Sequence, residues 1–494
     1  MLTYLSECLP STYRAAYNND TMAPPLTIRN LTSVPINLKI IERYNAPKGE
    51  GALHEVSKFA GNITSFTNNI TETIGVKLPT GPSNKTIQEG AQSFAHEEVD
   101  IRVDPFTTNR TDKKATERSN DEILRLTFEA EGQRYRIDVP LPVRFTRELT
   151  PLVHDPRFKF TAVFVAKETF LAIISSANLS EWMREMADRT PISALSIPGT
   201  HNSPTYYKAL PSVRCQAVSP REQLDNGVRF FDIRVQPVNP GDSNNDQLNL
   251  VHSVFPISLT GNKLFRDLER DVIKFLDDHR SETVIISLKR EGTGDATDQQ
   301  LSKIIRDHYG KSDRWWTETR WPKLGEARGK IVLLRRYNLD DSVRREHDGR
   351  GYGIEAENWQ DKATNDHHGA VIVQDFYEVL ETENIDLKIK YSTEHLERAG
   401  CAVCPDDEHA PPPPMYLNFL SASNFWKVGC WPEKIAAKLN PAIVNHLAVK
   451  HIMGGNGDWG TGVVICDWVG DGGDWDLVRC IVGMNAKLMM RQRR

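Results

Sequence analysis

Hydrophobic residues are placed by two different rules on either side of residue 180. Before that point apolar and polar residues alternate over short runs, the period-2 pattern of half-buried strands. "LTIRNLTSVPINLKIIERY" (26–44) follows it, and "ILRLTFEAEGQRYRIDVPLPV" (123–143) predicts a hairpin turning at Glu131-Gly132. "KFTAVFVAKETFLAIIS" (159–175) supplies two more short strands. Residues 60–118 are rich in Asn, Thr, Ser and Gly, which predicts a mobile insertion in an all-β, sandwich-like N-terminal domain spanning residues 1–180.

Beyond residue 180 strands alternate with helices. "NLSEWMREMADRTPIS" predicts an amphipathic helix capped by Asn178 or Ser180. In "TGNKLFRDLERDVIKFLDDHRSETVIISLKRE", Leu264, Phe265, Leu268, Val272, Phe275 and Leu276 share one helical face, and "TVIISL" is a continuous apolar strand. Such strands suit a parallel sheet buried on both faces. With "ISALSI", "VRFFDIRV", "LNLVHSV", "KIVLLRR", "AVIVQDF", "MYLNFLS" and "GVVICDWV" the candidates number eight, so residues 181–494 are expected to form a TIM-type (β/α) barrel.

Composition changes this picture little. The chain has 494 residues, 39% hydrophobic and 26% charged, enough for two ordinary domains. A net charge of −5 gives no basic footprint for nucleic acid. No window has the roughly 18 consecutive apolar residues of a membrane span. The first residues lack a signal-peptide pattern, which favours a cytoplasmic or peripheral-membrane location. Against that stand six N-x-[S/T] sequons, at Asn30, Asn62, Asn69, Asn84, Asn109 and Asn178, which suit a secreted protein. The seven cysteines are too sparse for a disulfide framework.

The candidate chemistry lies at the ends of the predicted strands. "SIPGTHNS" delivers His201 and Asn202. The second strand carries Asp232 and Arg234 on one face, the third ends in His252, and "IISLKRE" brings Lys289. Arg336, then Asp375 with Tyr377, then Asp467 follow. So many charged groups at one mouth make an anion site. Two imidazoles with a guanidinium fit general acid–base cleavage of a phosphodiester, one ring taking a proton and the other giving one.

These stretches, "LSIPGTHNS", "GVRFFDIR", "LVHS", "FLDDHRSETVIISLKRE", "ARGKIVLLRRY", "VQDFY" and "YLNFLSAS", closely resemble the X domain of bacterial-type phosphatidylinositol-specific phospholipase C. The resemblance runs over residues 180–490, and an added N-terminal domain is similar to that of fungal relatives. It implies His201 as general base on the inositol 2-hydroxyl, supported by Asp467, and His252 as general acid. It implies Arg234 at the phosphate, Asp232 orienting the site, and Lys289, Arg336, Asp375 and Tyr377 at the inositol ring, with Tyr377 stacking. Asn202, counted among the substrate-binding residues, is where the chain departs, because the bacterial motif has Asp there and the calcium-dependent eukaryotic enzymes have Asn.

Arg234 and Lys289 stand where those calcium enzymes carry carboxylates, so no metal and no cofactor are expected. The expected partners are a phospholipid with an inositol head group and, transiently, a membrane surface; the chain is expected to be a monomer. Two alternatives are a catalytically weak lipid- or glycan-anchor-binding module and a metal-dependent glycerophosphodiesterase on the same barrel. A zinc site at Cys401-x-x-Cys404 with His409 and Cys430 matches no standard spacing. Gly455-x-Gly457-x-x-Gly460 precedes a strand instead of following one, against nucleotide binding.

Overall fold

The computed structural model describes residues 24–47, 86–115, 122–141, 144–242, 244–407, 409–453 and 455–493. The chain divides into two compact units, one within Ala15–Ser176 and the other containing Ala177–Arg494.

Among the described residues of the first unit the regular elements are strands and one short 3-10 turn, Ala166–Glu168. They form two five-stranded sheets. Leu26, Ile28, Leu171 and Ile173 of one and Leu38, Leu126, Phe128 and Tyr135 of the other are buried in a common core. Glu131 and Gly132 both take positive φ, the two-residue turn that matches strand twist, and join Glu122–Ala130 to Gln133–Val139. The predicted insertion is partly overturned. Ala95–Val103 and Thr107–Lys114 are strands on the outer edges of the two sheets, where charged side chains face solvent and hide the alternation. The rest of that prediction, residues 60–85 and 116–118, lies outside the described residues. Asn30 is fully buried, and its side chain donates to the carbonyls of Val34 and Val103 at 2.8 and 3.0 Å, so this sequon is closed in the folded unit.

In the second unit all eight candidates meet a strand, although the one predicted from "ISALSI" begins only at Ile197, after a 3-10 turn at Ile192–Ala194. They are β1 (Ile197–Thr200), β2 (Phe230–Pro237), β3 (Leu248–His252), β4 (Val284–Arg290), β5 (Ile331–Arg336), β6 (Val371–Gln374), β7 (Met415–Phe419) and β8 (Val463–Cys466). All but β3 are parallel, in the order β5-β4-β2-β1-β8-β7-β6. β3 instead pairs antiparallel with the end of β2, so it is a branch and not a barrel stave. The hairpin-length connection between them explains why, since a parallel return needs a longer crossover.

Among the described residues no hydrogen bond joins β5 to β6, so the sheet is curled but open. The curl is measurable. β5 and β7 are five strand spacings apart along the sheet, about 24 Å if it were flat. Yet the Arg336 guanidinium on β5 lies 5.7 Å from the Phe419 ring on β7.

Helix α1 (Phe265–Asp278) buries Phe265, Leu268, Val272, Phe275 and Leu276, as its spacing predicts. The helix expected after residue 178 is a 3-10 segment, Leu179–Glu185, kinked at Glu181 and without a side-chain cap. Trp182 and Met183 are both buried there. Further along, α2 (Ile385–Cys401) and α3 (Pro432–Asn445) pack beside one another.

Candidate active site

The register of the sheet builds an unusual rung. Arg234 on β2, Lys289 on β4 and Arg336 on β5 are direct neighbours, three cations side by side on adjacent strands. Like charges so placed repel unless carboxylates intervene. Asp232, two residues before Arg234 and on the same face, is fully buried and accepts from Arg234 at 3.0 Å and from Arg336 at 3.0 Å. On the other side of the rung Glu291 accepts from Arg234 and, at 3.1 Å, from Lys289. The second Glu291 oxygen accepts the backbone N–H of Ser253 at 2.9 Å, tying the rung to the residue after His252. Arg336 also lies flat on Trp359, 3.9 Å from the ring centroid, and the Trp359 indole N–H donates to Asp375 at 3.2 Å.

The two histidines stand beside this rung. β1 is squeezed between β2 and β8, and Gly199 makes this possible, since a Cβ there would lie 3.1 Å from both Phe230 and Val463 side-chain carbons. The strand then releases His201, whose Nδ1 lies 3.0 Å from Asp467 at the end of β8. Its Nε2 is 3.1 Å from the side-chain nitrogen of Asn202 and 4.0 Å from Asp232. Asn202 takes a positive φ, and its backbone N–H donates to Asp232 at 3.2 Å. His252 faces His201 edge-on with ring centroids 6.0 Å apart, and its Nδ1 donates to the Val213 carbonyl at 2.9 Å. Behind both rings lies the buried Cys215 thiol, 3.9 Å from His252 Nδ1.

Charge and burial work against each other in this site. Burial alone would lower His201, but Asp467 and then Cys215 hold the ring well above the ordinary imidazole range. His252 is likewise depressed by burial and raised, on balance, chiefly by Cys215. The thiol responds in kind: burial and Asp467 raise it, and the two imidazoles bring it below its usual value. Burial would also raise the carboxyls of Asp232 and Glu291, yet the cations hold both down, Glu291 at about 2. Lys289 is lowered by burial and by Arg234.

Residues 189–337 match the family described as phosphatidylinositol-specific phospholipase C, X domain. The second unit carries that X domain. The chain is 29% identical over 220 residues to the 1-phosphatidylinositol phosphodiesterase of Listeria monocytogenes, covering 42% of this chain and 65% of that protein, just under two thirds of its length. It is 25% identical over 319 residues to the 1-phosphatidylinositol phosphodiesterase of Staphylococcus aureus, covering 60% of this chain and 90% of that one. A solved phosphatidylinositol-specific phospholipase C from S. aureus has the same fold, with a TM-score of 0.50 at 23% identity over 62% of this chain and 98% of that one.

The matched X-domain residues contain His201, Asn202, Asp232, Arg234, His252, Lys289 and Arg336, whereas Asp375, Tyr377 and Asp467 lie beyond them. All but one of the residues expected at the X-domain site are brought together. Asn202 is among them, 1% exposed and with its side-chain nitrogen 3.1 Å from His201 Nε2. Tyr377 is the exception. Its ring is half exposed and its hydroxyl donates to Asp361 at 2.7 Å, while the aromatic face in the site belongs to Trp359.

Glu291 and Cys215 are the site residues that the sequence reading passed over, and Trp359 is legible in the sequence only as an aromatic in the loop before "VIVQDFY". Glu291 was recoverable, because it lies two residues after Lys289 and so shares its face. Cys215 carries no sequence signal, since tertiary folding alone sets it between two histidines. The Cys401 and Cys404 pair forms no ligand cluster with His409 or Cys430 among the described residues. A cavity of about 750 Å³ bounded by Arg189, Trp321, Pro411 and Arg491 shares no residue with the strand-end site.

Proposed function

We propose that this protein cleaves an inositol phospholipid by the phospholipase C reaction, without a metal, to inositol 1,2-cyclic phosphate and diacylglycerol. The observation that carries the reading is the pair of perpendicular imidazoles, 6.0 Å apart, beside the Arg234–Lys289–Arg336 rung. The inositol 2-hydroxyl oxygen attacks phosphorus and its proton passes to His201 Nε2. The bond from phosphorus to the glycerol oxygen breaks, and His252 protonates that oxygen. Arg234 meets the charge that grows on the phosphoryl oxygens. Its neighbours Lys289 and Arg336, with Asp375 and Trp359, face the inositol ring. Asp232 and Glu291 are already paired with guanidinium and ammonium groups, which makes them poor ligands for a Ca²⁺ ion.

The rim supports a lipid substrate. Trp426 is 89% exposed, with Val428 and Leu380 open beside it in the chain's rim loops. Phe425 stacks on Phe255, three residues after His252, at 5.9 Å between centroids. An aromatic patch joined to the acid histidine suits insertion into a bilayer interface. Among the described residues no helix is long and apolar enough to cross a membrane. The protein is therefore read as a peripheral enzyme on a distorted, open TIM-type barrel, with a β-sandwich-like domain added before it.

The test is incubation with phosphatidylinositol vesicles in excess chelator. Release of inositol 1,2-cyclic phosphate is the expected outcome. Activity that disappears with chelator and returns with Ca²⁺ would overturn the metal-free reading; absence of any product would overturn the whole.

A further inference from the structure

Two polar residues interrupt the apolar face of α2. That face runs through Ile385, Lys388, Ser392, Leu396 and Ala399, at the three- and four-residue spacing that normally calls for apolar side chains. Lys388 and Ser392 are both fully buried in it. Burying an amine is costly, and an unbranched apolar side chain would fill the space without that cost. Burial brings the Lys388 amine down to about 7, and Asp375, followed by Asp467, resists the fall. Both of those carboxylates belong to the strand-end site.

Hydrogen bonds show how the amine reaches that site. Gln374 on β6 and Asn418 on β7 are register partners, fully buried, and both bond to Ser392, so their side chains turn outward to α2. Side chains alternate along an extended chain, so Asp375, one residue later, turns the other way, into the mouth. Lys388 Nζ donates to Gln374 Oε1 at 3.2 Å, and the same oxygen accepts the Phe376 N–H at 2.8 Å. The Gln374 amide nitrogen donates to the Phe419 carbonyl at 2.9 Å and to Asn418 at 2.8 Å. Donors at one end and acceptors at the other leave this amide a single orientation. It ties the peptide after Asp375 to the end of β7. The Asp375 N–H itself donates to the Ala363 carbonyl at 2.7 Å, so the chain is held on both sides of the carboxylate. Charged or neutral, the Lys388 amine keeps an N–H for its bond to Gln374.

We propose that Lys388 and Gln374 are positioning residues, which set the Asp375 carboxylate towards the inositol ring from the layer behind the sheet. The inference rests on the reading above that Asp375 faces that ring. Both side chains are fully buried on the far side of β6, so they act through Asp375 and touch no substrate. A group that must meet a sugar hydroxyl has to be held within a fraction of an ångström, and a buried, fully bonded amide behind it supplies that rigidity.

The experiment compares the full-length protein with Lys388→Met, whose unbranched side chain fills the same space and removes the buried amine. Gln374 Oε1 keeps its bond from the Phe376 N–H, so the melting midpoint should not fall. Losing one hydrogen bond to the amide should raise KM on a soluble inositol phosphodiester by about 3- to 10-fold and weaken inositol binding by the same factor, with kcat unchanged. In an Asp375→Asn background Lys388→Met should add nothing further. Gln374→Glu has the same shape and keeps the bonds to Lys388 and Phe376, but turns a second carboxylate oxygen on the Phe419 carbonyl. It should give the same rise in KM, and it decides the matter if Lys388→Met does not fold. Wild-type KM and inositol affinity in either folded variant, or a loss confined to kcat, would overturn the positioning role. A further loss in the Asp375→Asn background would do the same. Unsubstituted protein that neither turns over the diester nor binds inositol would instead overturn the reading of the reaction, and the role with it.

Discussion

Nε2 of His201, the nitrogen that must accept a proton, faces the side-chain nitrogen of Asn202 at 3.1 Å, while Nδ1 faces Asp467 at 3.0 Å. An ionised carboxylate only accepts, so once the ring is neutral Nδ1 carries the hydrogen and Nε2 the lone pair. A base waiting in the correct tautomer results. Losing a general base typically costs about 10²–10⁴-fold, and His201→Ala should fall in that range. Asp467→Asn should lose a substantial part of it, because an amide can present an N–H to Nδ1 and reverse the tautomer. Binding of inositol should persist in both. Turnover on a soluble inositol phosphodiester, with inositol affinity measured alongside, checks this; wild-type turnover in Asp467→Asn makes Asp467 a structural carboxylate.

Asn202 gives a separate test of the same ring. In Asn202→Asp a carboxylate replaces the amide donor opposite Nε2. It can only accept, so it favours the protonated ring, and one more negative charge raises the His201 pKa further. The acid limb of the rate profile should move to higher pH, with the rate at neutral pH falling roughly tenfold or more. A substrate-binding role would instead raise KM and leave the limb in place.

Legibility from sequence followed the range of the forces. The eight strands and the buried face of α1 were readable because continuous apolar runs and helical spacing are local. The antiparallel turn of β3 was not, since "LNLVHSV" has the same apolar content as its parallel neighbours and only the short link to β2 distinguishes it. The edge strands around Glu97 and Thr111 were misread for a related reason: exposed charges on an edge erase the alternation. At the site, His201, Asp232, Arg234 and His252 were legible as strand-end residues in a recognised order. Cys215 and Trp359 enter from loops, and their distance to the rings depends on tertiary packing.

Glu291 holds Arg234 and Lys289 together and fixes Ser253. Hydrogen bonds to charged groups contribute about 1.5–3 kcal/mol each, so Glu291→Gln should lower kcat/KM by about 10- to 100-fold. The loss should divide between KM, through Lys289 at the ring, and kcat, through Arg234, which meets charge that grows in the transition state. Steady-state kinetics on the soluble diester decides it, and unchanged constants would show that the rung is held by Asp232 alone.

Trp426 projects from the rim almost fully exposed. Burying an aromatic side chain is worth about 1.5–3 kcal/mol, so Trp426→Ala should weaken vesicle binding by about 10- to 100-fold. Turnover on a water-soluble substrate should be unaffected, since the ring touches neither histidine. Vesicle sedimentation and soluble-substrate kinetics on the same preparation separate the two effects; a loss confined to the soluble assay would place Trp426 in the site instead of at the membrane.

Cys215 couples the two histidines, and its removal should displace the whole pH profile. The thiol raises both imidazoles, while they lower the thiol. Apparent pKa values in such a cluster belong to the group as a whole. The base His201 must be unprotonated, so its pKa sets the acid limb; the acid His252 must be protonated, so its pKa sets the alkaline limb. Serine has nearly the same shape and does not ionise in this range. In Cys215→Ser the raising influence vanishes from both rings, both pKa values fall, and both limbs move to lower pH. The bell should thus travel acidward as a unit, with more activity below neutrality and less above it. A change in packing alone would scale the curve without moving it. Profiles of kcat/KM for the two proteins on a soluble diester make the comparison, and coincident limbs would mean that Cys215 sits behind the histidines as an uncharged filler.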